Sequence, residues 1–296
     1  MRRFCDTGNQ TMTEMPLVLW IVFAGVLGLL VGSFLNVVIL RLPERMAAQW
    51  EQEARDILDP ENEPTVLPPG IVREPSHCPH CKHRLSVLDN IPVFGWLLLR
   101  GRCRYCQTKI SAQYPLVELL SAVLSAVIVW KFGPSWPALA GLILTWFLIA
   151  LSGIDFRTQL LPDQLTLPLL WLGLLLAIVP MFVAAPSSII GAAVGYLCLW
   201  SVYWLFKLLT GKEGMGHGDF KLLAALGAWM GPVSLLPIVL LSSLIGALIG
   251  GSLIVLRKRD SQIPMPFGPF IAAAGWVWFV AGDSLLQGYL HLTGLR

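Results

Sequence analysis

Long uncharged apolar runs alternate with polar breaks along this chain, and one break is far longer than the rest. Residues 15–40 carry no charge. That is enough for a helix across a bilayer, which needs about 20 apolar residues. Residues 116–130 predict a second span with Glu118 near its start, and 134–154 predict a third, closed by Asp155. The stretch 164–206 is 43 residues without a formal charge. It suits two spans, 165–183 and 188–208, with a turn marked by Pro180 and Pro186. The run 222–256 is broken at Gly231-Pro232 and at Pro237. It predicts a short span from Asp219 to about Met230 and a longer one to Leu256. A last span starts at Pro266 and runs to about Leu290. The pattern predicts an all-α polytopic membrane protein with about eight transmembrane helices. Residues 1–14 read as a flexible lead, 41–113 as a small polar domain between the first two spans, and 114–296 as a second membrane domain.

Composition agrees with that reading. The chain is 55% hydrophobic and 13% charged, against about 25% charged in an ordinary soluble domain. Its mean hydropathy is +0.68. A net charge of +3 is too small to suggest nucleic acid as a partner. Arg2 and Arg3 are followed by polar residues, and the first apolar run is too long for a cleaved signal segment. Ten Lys and Arg fall in residues 41–113, whereas the opposite side of the eight-span layout holds Lys131 and little else. The positive-inside rule then makes the large loop cytoplasmic and both termini external. The same layout brings Asp155, Asp163 and Asp219 to the cytoplasmic face.

Those acids are the first candidate chemistry. Asp155 lies in I-D-F-R-T-Q-L-L-P-D, which also holds Asp163, and Asp219 lies in the glycine-dense G-M-G-H-G-D-F-K. A carboxylate at a membrane helix is costly and asks for a reason. Two carboxyls within about 3 Å share a proton, so one is able to activate water while the other acts as an acid. Gly214, Gly216 and Gly218 are expected to allow close approach and to supply unusual backbone angles. The competing reading is that the acids sit only at helix ends, Asp163 and Asp219 as N-terminal caps and Asp155 as an interfacial anchor. His217 reads either as a tuner of the aspartate proton or as a tolerated polar residue.

The cysteines are the second. Cys78-x-x-Cys81 and Cys103-x-x-Cys106 stand 21 residues apart in the polar segment, the spacing of a four-thiolate zinc site. A small domain poor in apolar residues gains folding energy from such a metal. The alternatives are a redox dithiol or paired disulfides, which a cytoplasmic location disfavours. His77, His80 and His83 are nearby substitutes for a thiolate.

A series of motifs, in order from residue 28 to about 275, resembles the bacterial type IV prepilin peptidases, which are G-x-G-D membrane aspartyl proteases. They are G-S-F-L-N-V-V-I-L-R-L-P (32–43), C-P-H-C-K-H (78–83), N-I-P-V (90–93), R-G-R-C-R-Y-C (100–106), I-S-A-Q-Y-P-L-V-E (110–118), I-D-F-R-T-Q-L-L-P-D (154–163), G-K-E-G-M-G-H-G-D-F-K-L-L (211–223) and P-F-G-P-F (266–270). The resemblance implies catalytic roles for Asp155 and Asp219, with Asp163, Gly216 and Gly218 in support. It implies a bacterial inner-membrane enzyme that removes the basic leader from prepilin and pseudopilin precursors at the cytoplasmic face. It also implies N-methylation of the new N-terminal phenylalanine with S-adenosylmethionine. No G-x-G-x-x-G loop marks a cofactor pocket; the resemblance points to Gly95, Asn36 and Glu118. Without it, Gly95 reads as a turn, Asn36 as a helix–helix hydrogen-bonder and Glu118 as the partner of a loop arginine. Acids between Glu44 and Glu63 are candidates to receive a basic leader, against the plainer reading of a solvated acidic loop.

Two other classes compete. A transporter also keeps acids in its helices, but nearer the midplane at broken helices. A membrane-anchored zinc adaptor leaves Asp155 and Asp219 without a purpose. The substrates' identities and the oligomeric state are not legible in the sequence.

Overall fold

Each apolar run becomes a helix in the computed structural model, which describes residues 15–58, 68–72, 74–212, 214–257 and 266–293. The expected lead, 1–14, lies outside them. The helices are α1 (Leu17–Leu58), α2 (Phe94–Leu98), α3 (Gln113–Phe132), α4 (Trp136–Thr158), α5 (Asp163–Leu176), α6 (Ala185–Thr210), α7 (His217–Met230), α8 (Leu235–Arg257) and α9 (Gly268–Thr293). The described residues contain no strand, only two isolated bridges. The chain forms two compact units, Met1–Trp146 and Phe147–Arg296.

In the first unit α1 packs along α3 through small residues. A Cβ at Gly28 would stand 2.7 Å from the Ser121 carbonyl oxygen, and one at Gly32 would stand 2.7 Å from the Glu118 Cα. Backbones this close are what small residues four apart allow between membrane helices. One turn further, Asn36 Nδ2 donates to the Tyr114 carbonyl at 3.0 Å. The helix does not stop at the expected Leu40. It continues through Pro43 to Leu58, where Glu51 pairs with Arg55 one turn on and Gln52 donates to Asp56 at 2.6 Å. Arg41 Nη1 donates to the carbonyls of Gly70 at 2.6 Å and Glu74 at 3.0 Å. Arg45 Nη1 donates to that of Pro68 at 2.6 Å. Two of the ten loop cations thus hold the returning chain along α1.

In the second unit α7 is the centre. Phe220, Leu222, Leu223, Ala225, Leu226 and Ala228 are fully buried, as expected of a helix apolar all round. A Cβ at Gly191 of α6 would stand 2.2 Å from the Gly227 carbonyl oxygen, and one at Gly227 would stand 2.2 Å from that of Gly191. Ser188 Oγ donates to the Ala228 carbonyl at 2.6 Å. From α5, the Leu169 carbonyl accepts the Trp229 Nε1–H at 2.9 Å.

Among the described residues six helices are long and apolar enough to cross a membrane, fewer than the eight expected. The other two expected spans are α5 and α7, with 14 residues each. At 1.5 Å per residue each is about 21 Å long, short of a hydrocarbon core of about 30 Å. The stop signals are local. Gly231 ends α7 with φ of 78° and Pro232 follows, while α6 starts with Pro186 in its first turn.

Candidate active site and metal centre

Three separated segments of the second unit build one polar point. Asp155 lies in the last turn of α4 and Asp219 in the first turn of α7. They are only 5% and 6% exposed, and the charge of Asp155 acts on Asp219. Asp155 Oδ2 accepts the backbone N–H of Gly268, the first residue of α9, at 3.0 Å. Leu161 joins the parts. Its Cβ would stand 2.5 Å from a Cβ at Gly218, and its Cδ1 would stand 3.1 Å from one at Gly268. Gly218 is therefore required by close approach. Gly216 is the N-cap of α7 at φ −77°, and the nearest atom to a Cβ there is Asp219 Oδ2 at 3.7 Å. Neither glycine, nor Gly214, has the positive φ expected of this hinge. An ordinary cap suffices because the chain enters α7 from extended backbone.

Asp163 stands at the start of α5, and both its oxygens accept from Lys221 Nζ, at 2.6 and 2.8 Å. The pair links the first turns of α5 and α7 two residues beyond Asp219. Its side chains are 54% and 30% exposed, so it orients more than it stabilises. His217 packs its ring against Tyr203 and Phe220, with centroids 5.1 and 5.4 Å away. Two buried carboxyls whose charges interact, each with a backbone donor, are equipped to split a proton and activate water.

The cysteine pairs of the first unit fold into two matching knuckles. In one, Cys78 N–H donates to the His83 carbonyl at 2.9 Å and Lys82 N–H to that of Cys78 at 3.0 Å. In the other, Cys103 N–H donates to the Thr108 carbonyl at 2.9 Å and Gln107 N–H to that of Cys103 at 3.0 Å. Lys82 and Gln107 take φ of 58° and 57°. Each knuckle aims two sulfurs inward, and the four ligand atoms lie within 4.8 Å of one another. The cross-knuckle separations Cys78–Cys106 and Cys81–Cys103 are 3.7 and 3.9 Å. A regular tetrahedron with zinc–sulfur bonds of about 2.3 Å has edges of about 3.8 Å, so the donor set fits zinc. Hydrogen bonds from Thr108 pull the Cys106 thiol down to about 6. For Cys81 the backbone hydrogen bond from His83 pulls down, but desolvation and the three neighbouring sulfurs together push the thiol up to about 11. Four sulfurs this close cannot all be charged without a cation. Two of the three nearby histidines are engaged elsewhere, His83 against the Tyr105 ring at 3.6 Å and His77 near the Pro75 carbonyl.

Gly95, Asn36 and Glu118 are linked through the first unit. Glu118, 6% exposed, accepts the Val93 N–H at 2.7 Å and hydrogen-bonds with Ser33. Its partners are thus a turn and a serine rather than a loop arginine. Val93 has φ 61° and ψ −50°, and Phe94 N–H reaches back to the Pro92 carbonyl at 2.6 Å. This γ-turn is rare for a β-branched residue and costs on the order of 1–3 kcal/mol. Two residues on, a Cβ at Gly95 would stand 2.3 Å from the Asp89 carbonyl oxygen. Arg104, beside the second knuckle, donates to Asp89 Oδ1 at 3.0 and 2.6 Å and holds that carboxyl below its usual range. A path of contacts therefore runs from the knuckles through the Arg104–Asp89 ion pair, the close approach of Gly95 to Asp89 and the turn at Val93 to Glu118, with Asn36 one turn away on α1. Lone residues in the sequence carry no sign of this path. The γ-turn at Val93 and the Asp155–Gly268 contact had no signal beyond their motifs.

Two family models match the chain: the bacterial peptidase A24 N-terminal domain over residues 26–132 and the type IV leader peptidase family over residues 142–251. The chain is 56% identical over 270 residues to the prepilin leader peptidase/N-methyltransferase of Xanthomonas campestris pv. campestris, covering 91% of this chain and 94% of that one. It is 54% identical over 274 residues to the protein of that name from Aeromonas hydrophila, covering 92% and 94%. It is 51% identical over 289 residues to that from Stutzerimonas stutzeri, covering 98% and 100%. No solved structure matches the chain.

Proposed function

This chain belongs to the type IV leader peptidase family, and from that membership we propose that it cuts the leader from prepilin and pseudopilin precursors and methylates the new N-terminus. The observation that supports the cleavage reading is the burial of Asp155 and Asp219, both about 95% buried, within range of each other's charge, with the Gly268 N–H at one of them. The substrate is a single-span precursor with a short basic leader. It enters laterally between helices, so that the scissile bond reaches the pair at the cytoplasmic face of the inner membrane. The excess of Lys and Arg in residues 41–113 supports that orientation. One carboxyl takes a proton from water as the oxygen attacks the scissile carbonyl, and the other donates to the carbonyl oxygen and then recovers that proton. The C–N bond breaks as the leaving amine is protonated. Asp163, Gly216 and Gly218 hold the start of α7 in place.

Methylation is read to the first unit. S-adenosylmethionine supplies the methyl group when bound. Glu118, Asn36 and Gly95 shape the turn and helix pair beside which the amine is presented. Glu118 fixes the Val93 N–H, Asn36 holds α1 to the start of α3, and Gly95 lets the turn close. Zinc held by Cys78, Cys81, Cys103 and Cys106 keeps the knuckles folded, which supports that turn through Arg104 and Asp89. The test is to incubate the purified protein with a precursor pilin and the methyl donor and to read product masses. Loss of the leader plus the mass of one methyl group is expected. Intact precursor contradicts the cleavage reading, and cleaved but unmethylated product contradicts the second activity.

A further inference from the structure

The two carboxyls of the buried pair are not equivalent. Asp155 Oδ2 accepts the Gly268 N–H at 3.0 Å across 113 residues of sequence. That N–H belongs to the first residue of α9, one of the unpaired donors of a helix start, where the dipole adds positive potential. Asp219 also has a backbone hydrogen bond, from Gly216, but its Oδ1 is buried and has no hydrogen-bond partner among the described residues. A charged oxygen buried without a donor is costly, whereas a protonated carboxyl brings a donor of its own.

We propose that Gly268 is a positioning residue that assigns the two roles: its N–H holds Asp155 as the ionised base, and the shared proton rests on Asp219. The assignment rests on the cleavage reading above. Asp155 takes a proton from water while the water oxygen bonds to the scissile carbonyl carbon. Asp219 gives its proton to the carbonyl oxygen, producing a gem-diol. Asp219 then recovers a proton from one hydroxyl, Asp155 passes its proton to the nitrogen, and the C–N bond breaks. Both carboxyls return to their starting states.

Glycine is needed at 268 for this contact. A Cβ there would stand 2.6 Å from Asp155 Oδ2 and 3.2 Å from its Cγ, so any side chain pushes the carboxylate off the N–H. The other ionisable groups on the surrounding elements are few. Arg157 lies on α4 itself, Asp163 on α5 is paired with Lys221 of α7, and His217 on α7 stacks on Tyr203. Lys207, on α6, donates to the Tyr203 hydroxyl at 3.3 Å. Asp283 and His291 lie 15 and 23 residues along α9 from Gly268, and the described part of α8 has only Arg257, at its far end.

The test is the pH profile of kcat/KM for leader cleavage by the full-length enzyme in lipid vesicles. Replacing Gly268 by glycolic acid turns its amide into an ester, removing the N–H and adding no side chain. The acidic limb, which reports loss of the proton from the base, is expected to move up by about one to two pH units. The basic limb is expected to stay. Gly268→Ala should lower kcat more than it raises KM; if that variant fails to fold, the ester decides alone. An unmoved acidic limb in the ester enzyme, or movement of the basic limb instead, overturns the assignment. A loss of packing alone reduces the active fraction without moving either limb. Asp155→Asn and Asp219→Asn serve as controls. If they cleave, the cleavage reading itself fails; if they are inactive while the acidic limb stays fixed, only the division of roles fails.

Discussion

At Gly218 a single added methyl group would stand 2.5 Å from the Leu161 Cβ, whereas at Gly216 the same group would meet nothing closer than 3.7 Å. Gly218→Ala should therefore destabilise the protein by about 1–3 kcal/mol, the usual cost of overpacking a filled site, and slow cleavage sharply. Gly216→Ala should cost less than about 1 kcal/mol, the loss of a modest cap. Thermal unfolding and initial rates in detergent check the ranking, and equal losses at both positions would contradict it. The sequence presents these glycines as equals, two steps apart in one hinge. What separates them is Leu161, which lies in another segment. Gly268 is the sharper case. Its motif is visible, yet no local pattern ties it to an acid 113 residues earlier. Asp155 and Asp219 were legible because a carboxylate beside an apolar run is costly wherever it stands.

At the scale of elements, the knuckles are expected to depend on bound metal more than on their own packing. Structural zinc in such a site supplies on the order of 10 kcal/mol of folding free energy. Chelation, or Cys→Ser at any of the four positions, should unfold the knuckle region and release the turn at Val93. Thiolates bind metal and protons compete for them, so metal is held at neutral pH and lost as pH falls. Elemental analysis of protein dialysed at stepped pH reads this directly; metal absent at neutral pH contradicts the site. The C-x-x-C spacing was legible because two sulfurs from one tight turn need only local geometry. Helix lengths were less so. Apolar runs marked α5 and α7, but their 14 residues fall short of a span. α7 is enclosed by α5, α6 and α9, so its length is set by protein and not by lipid. The continuation of α1 through Pro43 was hidden for a similar reason. Charge marks the end of the apolar run, and not the end of the helix.

For the whole molecule, the division into Met1–Trp146 and Phe147–Arg296 parallels the two family models, which meet the chain at 26–132 and 142–251. The paired acids fall in the second unit, and the knuckles and Glu118 in the first. Cleavage and methylation are therefore expected to be lost separately. Class, membrane character and the four-cysteine cluster were readable from run lengths, charge placement and spacing. The links inside each centre were not, because they join residues far apart in sequence. The most direct test of the central claim is the cleavage rate of Asp155→Asn and Asp219→Asn, each purified from membranes at wild-type yield and offered a precursor pilin. Each single variant should leave the precursor intact while still methylating an N-terminus already exposed by cleavage. Near wild-type cleavage by either one would contradict the paired-carboxyl account.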